Sequence, residues 1–216
     1  METEDPPMLL ELEDGSFHQG YGFGAPAKSI SGELVFQTGM VGYTESITDP
    51  SYRGQILVIT YPLVGNYGVP SRETKDDIVP DLSAHFEAAQ IHVAGLVVAS
   101  YAGEDYSHHL ATSSLGTWLK EQGIPAMYGV DTRALTKKIR DKGSMLGKLL
   151  ARRQSGANGI ANGIVNSSIV NQAPTLHALR ARYEEIEWMD PNTKNLAAEG
   201  KKLQLKSSFP MSDNNF

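Results

Sequence analysis

The 216-residue chain has no cysteine. Disulfides, thiolate metal sites and thiol nucleophiles are therefore excluded for the chain acting alone. Positive charge is also scarce: 19 Lys and Arg stand against 25 Asp and Glu, a net charge of −6. The basic pairs Lys137-Lys138, Arg152-Arg153 and Lys201-Lys202 are isolated from one another, so nucleic acid is not an expected partner. No run approaches the roughly 20 apolar residues that span a bilayer, which removes the membrane as an expected partner. The N-terminus, Met1-Glu-Thr-Glu-Asp-Pro-Pro7, is acidic and carries prolines, whereas a secretory signal opens basic and continues apolar. A cytoplasmic location is the expectation.

What the chain does have is room for one ordinary domain and an appendage. From residue 8 to about residue 150, apolar runs alternate with Gly, Pro and Asp. Met8-Leu-Leu-Glu-Leu12 leads into Asp14-Gly15, a two-residue hairpin signal, and returns through Phe17 to Tyr21. Glu33 to Thr38, Gln55 to Tyr61 and His92 to Ala99 are short β-branched runs and read as strands, the last two buried on both faces. Ser113 or Ser114 can cap a helix carrying Leu115, Trp118 and Leu119, with Gly123 as its stop. Asp131 can cap a second, Thr132 to Lys142, with Leu135 and Ile139 one turn apart and Gly143 after it. Leu82, Phe86 and Ala89 suggest a weaker helix within Ser71 to Ala89. The expected fold is α/β: a compact domain over residues 8–150 with a central, mostly-β sheet layer and flanking helices, followed by a flexible tail.

Beyond Leu150 the pattern changes. Gln154 to Ala173 is rich in Asn, Ser, Gly and Ala and reads as a flexible insertion. Thr175 to Glu187 places Leu176, Leu179 and Tyr183 at helical spacing, and Lys201 to Phe216 is polar and aperiodic. Residues 151–216 are thus expected to be a flexible insertion and a linker.

Several stretches could carry chemistry. Glu104, Asp105, His108 and His109 combine carboxylates and imidazoles that could hold a metal or move protons, as in a metal hydrolase. Adjacent histidines diverge, however, and a solvated loop is the simpler reading. Gly20-Tyr-Gly-Phe-Gly24 has phosphate-loop spacing, but no helix follows it to aim N–H groups at an anion, so a twisted strand with bulges fits better. Asp131 beside Arg133 is accounted for by helix capping. The stretch Thr38 to Tyr52 is a glycine-punctuated loop with several hydroxyls, in which Asp49-Pro50 sets a turn that leaves Ser51 at the mouth of the next strand. Turn-stabilising and ligand-binding roles are equally open to those hydroxyls.

Leu10-Glu-Leu-Glu-Asp-Gly15, Gly32 to Tyr43, Thr48-Asp-Pro-Ser-Tyr52, Gln55 to Pro62, Gly65-Asn-Tyr-Gly68 and Gly129 to Thr136 follow one another in an order that closely resembles the N-terminal domain of the carbamoyl-phosphate synthase small subunit. The resemblance covers about Leu9 to Leu150 and resumes at Asp190 to Leu196, and it is most like the fungal multifunctional form that begins pyrimidine synthesis. It implies a non-nucleophilic domain that packs against a glutaminase domain and a large synthetase part, where glutamine, bicarbonate and ATP give carbamoyl phosphate. In the family, the serine of Asp-Pro-Ser-Tyr reaches into the glutamine pocket, and the matching residue here is Ser51. No catalytic or metal-binding residue is implied for this chain, and ATP and magnesium are expected only on the synthetase part. Where the family continues from Asn-Leu into the glutaminase domain, this chain reads Ala197-Ala-Glu-Gly-Lys201 and stops at Phe216. Two rivals remain: a stand-alone regulatory module docking on the synthetase, and the metal hydrolase built on Glu104 to His109.

Overall fold

The structure is a computed structural model and describes residues 5–81, 83–153 and 180–193. The opening hairpin forms as the sequence indicates: β1 (Pro7–Leu12) and β2 (Phe17–Gly24) pair antiparallel around Asp14-Gly15, with Leu10 opposite His18. The Asp14 carboxylate accepts the Ser16 N–H at 3.0 Å and the Ser16 hydroxyl at 2.6 Å, and the ammonium groups of Lys138 and Lys142 reach it at 3.0 and 3.1 Å. The Ser16 hydroxyl above all, helped by the Ser16 N–H and the two lysines against the opposing effect of burial, holds this carboxyl well below the usual carboxylate range.

As the pH falls, the unfolded chain therefore takes up this proton before the folded one. The stabilisation is complete above about pH 5 and fades as the pH drops towards the folded-state value. Asp14→Asn is expected to lower the stability of the chain by about 1 kcal/mol at pH 7. In urea melts the gap to the parent should narrow by pH 3; a gap independent of pH would assign the loss to packing.

The remaining elements follow in order: β3 (Ile30–Gln37), α1 (Tyr43–Thr48), β4 (Ile56–Ile59), β5 (Val69–Pro70), β6 (Gly95–Val98), β7 (Ala111–Ser113), α2 (Leu115–Glu121), β8 (Pro125–Tyr128), α3 (Thr132–Lys142) and β9 (Leu146–Ala151). Both expected helix caps are made. The Ser114 hydroxyl accepts the Thr117 N–H at 3.0 Å, and the Asp131 carboxylate accepts the Ala134 N–H at 2.9 Å. Gly123 and Gly143 follow the two helices with φ of 67° and 84°.

The expected α/β composition holds, but the central sheet layer with flanking helices is corrected to a closed barrel, ordered β1-β2-β8-β6-β4-β3-β9, with β5 and β7 as a separate two-stranded piece. β3, β4, β6 and β8 run parallel, and β1, β2 and β9 complete the ring antiparallel. Closure rests on β3. Its first half, Ile30 to Glu33, pairs with β9, and its second half, Leu34 to Gln37, pairs with β4, so the ring has no free edge. Alternation along a strand marks its two faces but not which strands it meets.

The inside of the ring is apolar. Met8, Leu10, Leu12, Leu34, Ile56, Val58, Val97, Met127 and Leu149 meet there, and α3 adds Leu135 and Ile139. The opposite faces of β4, β6 and β8 carry Leu57, Ile59, Leu96, Val98 and Ala126 outwards, where Tyr43 and Ile47 of α1 and Leu115, Trp118 and Leu119 of α2 cover them. This double burial is why the β4 and β6 runs read as continuously apolar.

Local expectations fail at three places. The described residues within 71–89, which leave out Leu82, form turns and not a helix: the Asp76 carboxylate accepts the N–H groups of Ile78 and Val79, Pro80 follows, and Phe86 is buried while Ala89 is exposed. The loop before Ser51 contains the helix α1, whose Tyr43 and Ile47 are one turn apart and buried. Of the helix expected over 175–187, residues 175–179 lie outside the described residues, and from Ala181 onwards the chain is a turn and then extended. The expected flexibility of residues 154–179 and 194–216 likewise concerns residues outside those described.

Residues 180–193 run along the outside of β9 and β3. Arg152 and Tyr183 pair antiparallel, Arg153 N–H donates to the Arg182 carbonyl at 3.0 Å, and Tyr183 is buried on Leu9 and Leu150. Lys148, only 2% exposed, donates to the Ile186 carbonyl at 2.6 Å and lies 4.2 Å from the centre of the Trp188 ring. The Ser31 hydroxyl accepts the Met189 N–H at 2.9 Å.

Candidate functional site

Asp49-Pro50-Ser51-Tyr52 folds into a 3-10 turn at the amino end of β4. The Asp49 carboxylate accepts the Ser51 N–H at 2.8 Å, and the Asp49 carbonyl accepts the Tyr52 N–H at 3.1 Å. Pro50 takes the first position, where an N–H would have no partner and the fixed φ of proline suits the turn. Arg53 N–H to the Pro50 carbonyl and Gln55 N–H to the Tyr52 carbonyl, at 3.1 and 3.0 Å, carry the chain into the strand. Every residue of the motif thus has a local task except the Ser51 side chain, which is exposed and makes no hydrogen bond to another described residue.

His92 brackets the turn. Its N–H donates to the Ile47 carbonyl, its carbonyl accepts the Gly54 N–H, and burial, with Arg53 assisting and Asp49 opposing, pushes its imidazole below the ordinary value. Among the described residues no hydrogen bond joins a base to the Ser51 hydroxyl. The turn therefore fixes the Ser51 backbone and leaves its hydroxyl exposed.

The Gly65-Asn-Tyr-Gly68 motif supports the preceding loop. The Tyr67 hydroxyl accepts the N–H groups of Gly42 and Tyr43, both at 2.9 Å, and so does the work of a side-chain cap that α1 lacks. Burial pushes this phenol up to about 12. The Tyr43 and Tyr67 rings stack at 4.1 Å, and Tyr43 donates to the Gly68 carbonyl at 2.6 Å. A cleft of about 370 Å³ opens beside them, lined by Val41, Glu45, Tyr67, His85 and His108 among others. Met40 and Val41 stand more than 70% exposed at the loop tip.

Other stretches take structural roles. The Glu104 carboxylate accepts the hydroxyls of Ser114, Thr117 and Tyr101 and closes the start of α2. Asp105, His108 and His109 are exposed on the loop that follows, and among the described residues no three His, Asp or Glu side chains converge as metal ligands. Gly20 to Gly24 lie within β2, paired in register with β1 and β8. A Cβ on Gly20 would collide with the Tyr128 carbonyl, and one on Gly22 would come within 2.7 Å of Pro26 and Met8. Close strand packing explains these glycines, and a paired strand does not fit a nucleotide phosphate.

Two features were invisible in the sequence. Pro191 packs on Gly54, whose φ of 78° excludes most side chains and whose added Cβ would meet the proline ring at 3.4 Å. The Glu33 Oε2 atom accepts the side-chain amide of Gln55 at 2.8 Å and that of Asn192 at 3.3 Å. Both tie the last described segment to the Ser51 turn.

The described residues therefore define a closed barrel domain with the exposed Ser51 hydroxyl on a turn at the amino end of β4. The chain belongs to the family described as carbamoyl-phosphate synthase small chain, CPSase domain, which matches residues 10–149. It is 68% identical over 195 residues to the multifunctional protein pyr-3 of Neurospora crassa, covering 89% of this chain and 10% of that protein. Over 212 residues it is 53% identical to the multifunctional protein URA2 of Saccharomyces cerevisiae, covering 98% and 9%. It is also 44% identical over 190 residues to the mitochondrial carbamoyl-phosphate synthase [ammonia] of Rattus norvegicus, covering 88% and 10%. The chain spans about a tenth of the length of these relatives. Among solved structures, an aminopeptidase from Aneurinibacillus sp. strain AM-1 aligns at 14% identity with a TM-score of 0.38 over 72% of this chain and 36% of that one, too distant to define a fold. Among the described residues no helix is long and apolar enough to cross a membrane.

Proposed function

We propose that this domain serves a glutamine-dependent carbamoyl-phosphate synthase of the pyrimidine pathway in the cytoplasm, where it supplies Ser51 to the glutamine pocket and surface to the glutaminase and synthetase parts. The observation that carries this reading is the position of Pro191 and Asn192. The chain leaves the described domain against Gly54 and Glu33, three residues past Ser51 and on the strand beside it. The last described residues therefore lie against the end of the turn that carries the exposed Ser51 hydroxyl. ATP and magnesium belong to the synthetase part in this reading. The Met40-Val41 tip offers an apolar surface of the kind that a partner domain covers.

The mitochondrial relative named for ammonia shares this domain, so glutamine use has to be tested directly. In the complete multifunctional enzyme, Ser51→Ala should impair synthesis from glutamine and spare synthesis from ammonia. Equal loss of both would make Ser51 a turn residue. The 216-residue chain by itself is expected to release no ammonia from glutamine in a coupled glutamate dehydrogenase assay, since it has no cysteine and, among the described residues, no base hydrogen-bonded to Ser51. Turnover that survived purification and was lost in Ser51→Ala would overturn this reading.

A further inference from the structure

We infer that Glu33 is a positioning residue for the glutamine site: it bridges the segment at Asn192 to the end of the Ser51 turn at Gln55, and so holds in place the turn that carries Ser51. The inference rests on the reading of Ser51 as a glutamine contact. Glu33 lies half-buried on the outward side of β3, between two segments that are distant in sequence. One oxygen, Oε2, accepts both amide groups, from Gln55 at 2.8 Å and from Asn192 at 3.3 Å. Gln55 is the last residue of the turn. Its own N–H holds the Tyr52 carbonyl, and its carbonyl accepts the Ala94 N–H at 2.8 Å, so a shift of Gln55 is a shift of the loop end next to Ser51.

A second contact runs beside the first. Pro191 covers Gly54, and the Gly54 carbonyl lies so close to β3 that a Cβ on Gly32 would come within 2.5 Å of it. The turn is therefore clamped from three sides: by β3 beneath, by Pro191 above and by the Glu33 carboxylate at its end. Within this clamp the acceptor at Glu33 is the polar component that a single substitution removes without altering the backbone. A turn held this way keeps the backbone that carries Ser51 in place before substrate arrives, and such pre-organisation lowers the cost of binding.

The test uses the complete enzyme carrying Glu33→Ala, Glu33→Gln or Ser51→Ala. Steady-state kinetics are measured with glutamine and with ammonia, and amide hydrogen exchange over residues 50–55 is measured without substrate. Glu33→Ala should raise the KM for glutamine about 3- to 10-fold, leave the ammonia-dependent rate unchanged and speed exchange in the turn. Glu33→Gln should restore both readouts, because its amide oxygen still accepts from the two amides. Unchanged exchange in Glu33→Ala, with Ser51→Ala still raising KM, overturns the bridge alone. Faster exchange with no change of KM in either Glu33→Ala or Ser51→Ala overturns the glutamine reading and with it the role given to Glu33. Equal loss of ammonia- and glutamine-dependent rates, or a Glu33→Gln variant as impaired as Glu33→Ala, overturns the inference as well.

Discussion

In the complete enzyme, Ser51→Ala is expected to raise the KM for glutamine by about 5- to 100-fold. The lower figure corresponds to a neutral hydrogen bond worth about 1 kcal/mol and the upper to one made with a charged group of the substrate, at about 3 kcal/mol. Glutamine offers both kinds, a side-chain amide and an α-carboxylate, so the size of the effect indicates which end Ser51 touches. The turn itself should survive, because Asp49 binds the Ser51 N–H and not its hydroxyl, and alanine keeps that N–H. An effect on kcat with KM unchanged would instead mean that the contact forms only in the transition state. Steady-state kinetics with glutamine and ammonia in parallel, with the alanine variant's melting temperature as a control, separates these outcomes.

A different signature is expected from Ile56, a few residues along the same chain. Ile56 is fully buried in the barrel interior, where Gly32 and Gly147 leave space that its side chain occupies. Ile56→Ala should cost about 2–5 kcal/mol, combining lost transfer energy with the cavity left behind, and Ile56→Val about 0.5–1.5 kcal/mol. The larger loss is a substantial share of the roughly 5–15 kcal/mol that holds a typical domain folded. Ile56→Ala should therefore reduce glutamine- and ammonia-dependent activity together, through lower abundance of folded enzyme, while KM values stay at the parent level. Denaturant melts of the two variants check the ordering. A similar cost for valine and alanine would show that the interior relaxes around the missing atoms.

The contrast between these two neighbours reflects what could be read from the sequence. The local logic was legible: Asp14-Gly15 gave the hairpin, Ser114 and Asp131 gave the caps, and Asp49-Pro50 gave the turn that presents Ser51. Each depends on residues within a few positions of one another. Barrel closure was not legible, because it rests on β3 dividing its pairing between β4 and β9, and register is a tertiary property. α1 was missed because Gly42 precedes it without a capping side chain, and the donors at its start are satisfied by Tyr67, 24 and 25 residues away. The spacing of Tyr43 and Ile47 was the signal available. Glu33 was hidden for the same reason, since its partners lie 22 and 159 residues away. Phe86 misled in the other direction: its apolar spacing suggested a helix where one aromatic side chain anchors a run of turns against Trp118.

The bond from Arg153 N–H to the Arg182 carbonyl, continued by the pairing of Arg152 with Tyr183, brings the two ends of the intervening stretch together on the barrel. Once its ends are joined, a stretch of chain costs more entropy to close only as the logarithm of its length, about 0.6 kcal/mol for each doubling. Residues inserted between those two arginines are thus expected to lower the stability of the barrel little, which a thermal melt of the insertion variant checks. An added epitope or protease site there is expected to meet the same small cost, whereas a single residue inserted into the Ser51 turn would displace the backbone hydrogen bonds that shape it.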